Sequence, residues 1–126
     1  MLNNNAKLLS PSVLAFVGDA VYSLLVRTHL ADKNRPCDSL HNAAVDYVSA
    51  GAQARAFEII RPVLTEEETS VFTRGRNFHT SNTPKASTPA EYHTATGLEA
   101  LFGYLHLSGR QDRINELFNI ITESEQ

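Results

Sequence analysis

The stretch Leu14-Ala15-Phe16-Val17-Gly18-Asp19-Ala20-Val21-Tyr22-Ser23-Leu24-Leu25-Val26 decides the fold class. Leu14, Val17, Val21, Leu24 and Leu25 recur at intervals that put side chains on one side of a helix. The expectation is a buried helix with these five residues as its core stripe. Asp19 interrupts the apolar run. At about 100° per residue it points roughly opposite the stripe, together with Ala15, Tyr22 and Val26. That second face is itself largely apolar, so the carboxylate calls for a cation or a hydrogen-bond donor beside it. Spacing alone leaves two readings open: an acid tolerated at a boundary, or an acid placed for chemistry. Tyr22 and Val26 likewise belong either to the core or to a contact with a second chain.

Outward from this stretch the chain reads as helix after helix. Residues 1–9 are polar or weakly apolar and are expected to be flexible. Ser10-Pro11 is a helix start, with a capping hydroxyl followed by proline at the first helical position. The first helix runs to about Leu30, and Asn34-Arg35-Pro36 ends or follows it. Asp38 can cap a second helix through Leu40, Ala44, Tyr47 and Val48. Ala50, Ala52, Ala54 and Ala56 carry that helix past Gly51 toward Ile60, with Pro62 as its break. Thr65-Glu66-Glu67-Glu68 has the form of a capping box, and a third helix carries Val71 and Phe72 to Arg76-Asn77. Residues 77–88 have loop composition. Thr88-Pro89-Ala90-Glu91 repeats the start signal, and Ala95, Leu98, Leu101, Phe102 and Leu105 form the stripe of a fourth helix. Gly109 stops it, and a last amphipathic helix holds Ile114, Leu117, Phe118 and Ile121. No convincing strand alternation appears. The expectation is one all-α domain over residues 1–126, with about five or more helices.

Composition narrows the class. The 126 residues suffice for a core without metals or disulfides as staples. Cys37 is the only cysteine, so a reducing compartment is the default, and it is most simply a small residue at a helix start. His29, His41, His79, His93 and His106 lack the spacing of a zinc site. No apolar run reaches the roughly 18 residues of a membrane span. Met1–Lys7 lacks the apolar core and cleavage site of a signal peptide. These features point to a cytoplasmic protein with no membrane partner. The net charge of −3 means that a nucleic-acid binder must concentrate positive charge locally. Such a concentration exists: no acid occurs between Glu68 and Glu91, while Arg74, Arg76 and Lys85 all do.

The fourth helix repeats the oddity of the first. Within Thr94-Ala-Thr-Gly-Leu-Glu-Ala-Leu-Phe-Gly-Tyr-Leu105, Glu99 is the only charged residue, beside Thr96 and Gly103 at helical spacing. If the two helices pack together, Asp19 and Glu99 could share a divalent cation, and hard oxygen ligands favour magnesium or manganese. The alternative is that Glu99 bonds a helix terminus or a neighbouring hydroxyl.

Phe16-Val-Gly-Asp-Ala-Val21 resembles the signature segment of the ribonuclease III endonuclease domain, and Glu99-Ala-Leu-Phe-Gly-Tyr-Leu105 resembles its carboxy-terminal acidic helix. The closer resemblance is to the Mini-ribonuclease III subfamily, catalytic domains without an attached double-stranded-RNA-binding domain. It rests on chain length, Asp19-Ala-Val-Tyr22, Tyr47-Val-Ser-Ala50 with Gln53-Ala54, Arg74-Gly-Arg-Asn77, Thr83-Pro-Lys85 and Ala95-Thr-Gly-Leu-Glu-Ala100. The resemblance implies an α-helical homodimer that cleaves double-stranded RNA with Mg2+, for which Mn2+ can substitute, leaving 5′-phosphate and 3′-hydroxyl ends. Asp19 matches the catalytic aspartate and Glu99 the metal-binding glutamate, which makes both catalytic and metal-holding residues. The implied substrate is the 23S ribosomal RNA precursor, with ribosomal proteins as further partners.

Full-length ribonuclease III enzymes carry two more carboxylates, at the positions held here by Ala15 and Thr96. The Mini subfamily resembles this chain in that same loss. The implied RNA-binding residues are Arg74, Arg76, Asn77, His79, Thr83 and Lys85, which could neutralise or hydrogen-bond phosphates. Readout of an A-form duplex would rest on shape and 2′-hydroxyls, with little base reading. The competing expectation is a non-catalytic, dimeric RNA-binding domain of the same fold, and retention of both Asp19 and Glu99 argues against it. His41 and Arg110 read as structural or surface residues, as does Arg113.

Overall fold

Thr88 and Glu91 start the helix on which the others pack. The Thr88 hydroxyl accepts the Glu91 N–H at 3.1 Å, and the Glu91 carboxylate accepts the Thr88 N–H at 3.2 Å, the reciprocal capping box expected from the sequence. The structure is a computed structural model that describes residues 5–31, 34–78 and 88–124. Among these residues there are six α-helices and no strand. They are α1 (Pro11–Ala31), α2 (Cys37–Val48), α3 (Ala50–Ile60), α4 (Glu66–Arg76), α5 (Pro89–Leu107) and α6 (Gln111–Glu123). Short 3-10 turns occupy Ala6–Leu8 and Arg61–Val63.

The central helix is α5, which packs against α1, α3, α4 and α6. The expected stripe of Ala95, Leu98, Leu101, Phe102 and Leu105 is buried throughout, as are Ile114, Leu117, Phe118 and Ile121 of α6. Tyr22 of α1 meets the edges of Phe102 and Phe118 at 5.3 and 5.8 Å, and Phe57 of α3 stacks on Phe72 of α4 at 3.7 Å. These rings tie α1 to α5 and α6, and α3 to α4.

The buried row of α1 differs from the expected one. It is Leu14, Gly18, Tyr22, Val26 and Leu30, whereas Leu24 is 66% exposed and Val17, Val21 and Leu25 are only half-buried. The cause is a backbone-to-backbone crossing. A methyl group at Gly18 would lie 1.6 Å from the Glu99 carbonyl oxygen, and one at Gly103 would lie 1.9 Å from that of Leu14. The line of closest contact thus runs through a residue that adds nothing to a hydrophobic count. Tyr22 and Val26 are core residues, which resolves the alternative the sequence leaves open. By length and composition α1 matches a membrane span, with a mean hydropathy of 1.3 over 18 residues, contrary to the expectation of no such run. In the fold its buried row docks on α5.

Three further expectations are corrected. The single helix expected from Asp38 to Ile60 is two, broken at Ser49, which is extended (φ −61°, ψ 155°) and accepts the Ala52 N–H at 3.2 Å. A serine hydroxyl offers the backbone a cap, and here the cap outweighs the helix propensity of the flanking alanines. Pro36, rather than Asp38, holds the cap position of α2. Arg113 is no ordinary surface charge: its guanidinium donates twice to Glu68, at 2.8 Å each, and once to the Val63 carbonyl at 2.8 Å. Glu68 is 2% exposed and closes the capping box with Thr65. Burial pushes its carboxyl up, but the Arg113 and Thr65 bonds outweigh this and leave it below the ordinary value.

Candidate active site

The Gly18–Gly103 crossing sets α1 and α5 so close that the residue after Gly18 and the residue four before Gly103 share one cleft. These are Asp19 and Glu99. The cleft has a volume of about 310 Å³ and is lined by Ser12, Ala15, Phe16 and Asp19 of α1, Tyr92, Thr96 and Glu99 of α5, and Phe78 just past α4. Ala15 and Thr96, the two positions without carboxylates, both face it. The Thr96 hydroxyl is turned back to donate to the Tyr92 carbonyl at 3.0 Å, a common bond for threonine within a helix. Asp19 is exposed at the cleft and Glu99 is recessed.

Glu99 is perturbed by its surroundings, Asp19 among them. Burial is the largest influence on Glu99 and pushes its carboxyl up, to about 7 in all. A hydrogen bond from Gln53 acts in the opposite direction, while the charge of Asp19 and a bond shared with it raise the value further. The cleft therefore sets the half-buried Glu99 carboxyl against the negative charge of Asp19. A divalent cation would relieve the same repulsion, and carboxylate oxygens are hard donors suited to magnesium or manganese. Among the described residues no group of three or more His, Cys, Asp and Glu side chains converges, so nothing there offers a zinc-type site. The donor set present fits a hard cation held by two carboxylates.

Arg74 and Arg76 lie elsewhere. Arg74 donates to the Leu9 carbonyl at 2.9 Å and also to that of Lys7, tying the segment before α1 to α4. Arg76 lies over the Phe72 ring, 6.0 Å from its centroid, with its Nε 3.3 Å from the Asn77 side-chain oxygen. Asn77 caps the carboxy-terminal end of α4. None of the three lines the cleft, although the chain passes directly from Asn77 to Phe78, which does. His79, Thr83 and Lys85 lie outside the described residues. Cys37 and His41 line a separate, mostly apolar hollow with Arg27, Leu30, Leu40 and Ala44.

Sequence reasoning missed one residue of the site. Gln53 of α3 is 3% exposed, and its Nε2 donates to Glu99 Oε2 at 3.2 Å and to the Val48 carbonyl at 3.1 Å. Its Oε1 is buried without a partner, an arrangement that costs about 1–3 kcal/mol. A signal existed: Gln53 shares a helical face with Ala56, Phe57 and Ile60, all buried, so a polar side chain occupies a core position.

Comparison with known proteins follows the same lines. The family model described as "Ribonuclease III domain" matches residues 12–110. A curated relative named Mini-ribonuclease 3, from Thermoanaerobacter sp. strain X514, is 48% identical over 113 residues, 89% of this chain and 80% of the relative. A relative of the same name from Brevibacillus brevis is 47% identical over 118 residues, covering 92% and 87% of the two chains. A crystal structure of a protein from Fusobacterium nucleatum superposes with a TM-score of 0.88 at 28% identity, over 98% of this chain and all of the other.

Proposed function

From the premise that this chain belongs to the ribonuclease III domain family, and is an endoribonuclease of double-stranded RNA, we propose that Asp19 and Glu99 are its catalytic, cation-holding residues. The observation that carries this reading is their meeting in one cleft at the α1–α5 crossing, with Glu99 pushed to about 7 by burial and by its neighbour. Enzymes of this family depend on a metal. The oxygen-only donor set here favours Mg2+, with Mn2+ as a substitute.

When bound, the cation supplies an acidified water and neutralises charge on the phosphodiester. Hydrolysis would join the water oxygen to phosphorus and deliver a water-derived proton to the 3′ oxygen as its bond to phosphorus breaks, giving a 5′-phosphate and a 3′-hydroxyl. Asp19, exposed at the cleft, is the acid first met by an approaching phosphate. Glu99, recessed, must give up its proton before both carboxylates can hold a cation. Ala15 and Thr96 leave the pair without further charge, so cation affinity rests on two side chains per chain.

The active form in this reading is a homodimer, with one site per subunit and one strand cut at each. The support is a row on α1 left in solvent: Val13 is 45%, Phe16 81% and Leu24 66% exposed, with Ala20 between them on one helical face. Phe16 belongs both to that row and to the cleft. The substrate in this reading is the 23S ribosomal RNA precursor, processed in the cytoplasm. Arg74, Arg76 and Asn77, with His79, Thr83 and Lys85, would contact its phosphates, so binding should weaken steeply with salt. Among the described residues nothing selects a ribosomal protein.

The test is cleavage of a long RNA duplex with and without Mg2+ by wild type, Asp19→Asn and Glu99→Gln. Both substitutions keep size and remove charge. Each is expected to lower the rate by at least about a hundredfold, the scale at which loss of one transition-state contact is felt. Activity within about tenfold of wild type in either folded variant would remove that residue from the chemistry.

A further inference from the structure

Gln53 links a backbone junction to an acid. Its Nε2 donates to two acceptors, the Val48 carbonyl at 3.1 Å and Glu99 Oε2 at 3.2 Å. Val48 ends α2, so its carbonyl is one of those that a helix leaves without an internal donor. Turning the amide over would set its oxygen against a carbonyl oxygen and a carboxylate at once. The partners therefore dictate the orientation, and Oε1 is left buried and unpaired as its consequence. The link exists because the helix breaks at Ser49: a continuous helix would have bonded the Val48 carbonyl internally.

The chemistry of the link is specific. An amide donates without carrying charge, so it can hold a carboxylate while leaving its full negative charge for a cation. A lysine or arginine at this position would hold Glu99 and neutralise it. A glutamate side chain is otherwise free about several torsions, and only a bond to a rigid element removes that freedom. Hydrogen bonds to ligating carboxylates commonly set metal affinity in this way.

We propose that Gln53 is a positioning residue for the cleavage reaction, its amide fixing one oxygen of Glu99 against the α2–α3 junction so that the carboxylate meets the cation in a single orientation. The inference rests on the reading of Asp19 and Glu99 as the cation-holding pair.

The test measures Mn2+ binding to the RNA-free protein by electron paramagnetic resonance of the free ion, in a cycle of wild type, Gln53→Met, Glu99→Gln and the double variant. Gln53→Met keeps the volume and removes the donor. It is expected to weaken Mn2+ binding by about 10–100-fold with Glu99 present. In the Glu99→Gln background the same change is expected to matter by less than about twofold. Wild-type affinity in folded Gln53→Met, or an equal loss in both backgrounds, would overturn the proposal. If Glu99→Gln itself binds Mn2+ as wild type does, the acid-pair reading fails, and this inference with it, in an arm that does not touch Gln53.

Should Gln53→Met fail to fold, the wild-type protein still decides. The Gln53 side-chain amide resonances, followed by NMR during Mg2+ titration, are expected to shift and saturate together with those of Glu99. Resonances that stay fixed while Glu99 saturates would refute the link.

Discussion

Raising the pH of the cation-free protein is expected to weaken it through Glu99, and replacing that acid with glutamine is expected to remove the effect. The Glu99 carboxyl sits at about 7 in the fold and near 4.5 when unperturbed. Between these values the folded chain keeps a proton that the unfolded chain has lost. The stabilisation this provides is complete below about pH 4.5 and disappears as pH rises through about 7. Each tenfold difference in proton affinity between the two states is worth about 1.4 kcal/mol, so the loss is on the order of 3 kcal/mol. Urea unfolding in the presence of a chelator, from about pH 5 to about pH 8, measures it. Wild type and Glu99→Gln should be equally stable at the acidic end. At the alkaline end the variant should be the more stable by up to roughly 3 kcal/mol, although it is expected to lose cleavage. Adding Mg2+ there should raise wild type and leave the variant unmoved, since only a ligand that binds the folded state stabilises it. Parallel stability curves for the two proteins across this range would refute the account of how burial and Asp19 act on Glu99.

Gly18→Ala would place a methyl group 1.6 Å from the Glu99 carbonyl oxygen, where ordinary contact begins at 3.4 Å, so the helices must part by roughly 2 Å. A loss of about 1–3 kcal/mol in unfolding free energy is expected from such overpacking, and a fall of at least about a hundredfold in cleavage from the displaced acids. Arg113→Ala leaves Glu68 buried without its bidentate partner and should cost about 3 kcal/mol by urea unfolding. Because the wild-type Glu68 carboxyl lies below its ordinary value, the stabilisation it provides is lost as pH falls through that lowered value, and the variant should lack this acid-side decline. Phe16→Ser with Leu24→Ser removes the largest exposed apolar side chains of α1, and sedimentation should then show monomer under conditions where wild type sediments as dimer.

The capping boxes and the large-side-chain stripes of α5 and α6 read true, whereas the crossing at Gly18, the break at Ser49 and the long-range pairs did not. The two capping boxes, Thr65 with Glu68 and Thr88 with Glu91, are written within four residues each, and both form as expected. The core stripes of α5 and α6 follow from their periodicity because large side chains make them. The row of α1 escaped the same method because its contact is built on an absence of side chain at Gly18. The Ser49 break hides in an alanine-rich stretch where propensity favours continuation, and only the cap formed with Ala52 reveals it. Arg113 and Glu68 lie too far apart in sequence for spacing to pair them. Asp19 and Glu99 were legible as oddities, each an acid in an uncharged run. Their meeting is a property of the fold, and Gln53, which holds one of them, becomes meaningful only once α3 is placed beside α5.

The Gly18–Gly103 crossing also bears on how this sequence can drift. Most inter-helix distances are set by side chains, and exchanging a leucine for an isoleucine shifts the helices by fractions of an ångström that accumulate over generations. Here two main chains touch, and each glycine faces the other: a methyl on Gly18 would lie 2.9 Å from the Gly103 nitrogen, and one on Gly103 the same distance from the Gly18 nitrogen. Hard repulsion between backbones is the stiffest gauge a protein has. The separation of α1 and α5 at the crossing therefore depends on glycine at both positions. A side chain at either glycine would have to push one main chain away from the other. The spacing of Asp19 and Glu99 is thus set by main chain against main chain, with no side-chain volume in between.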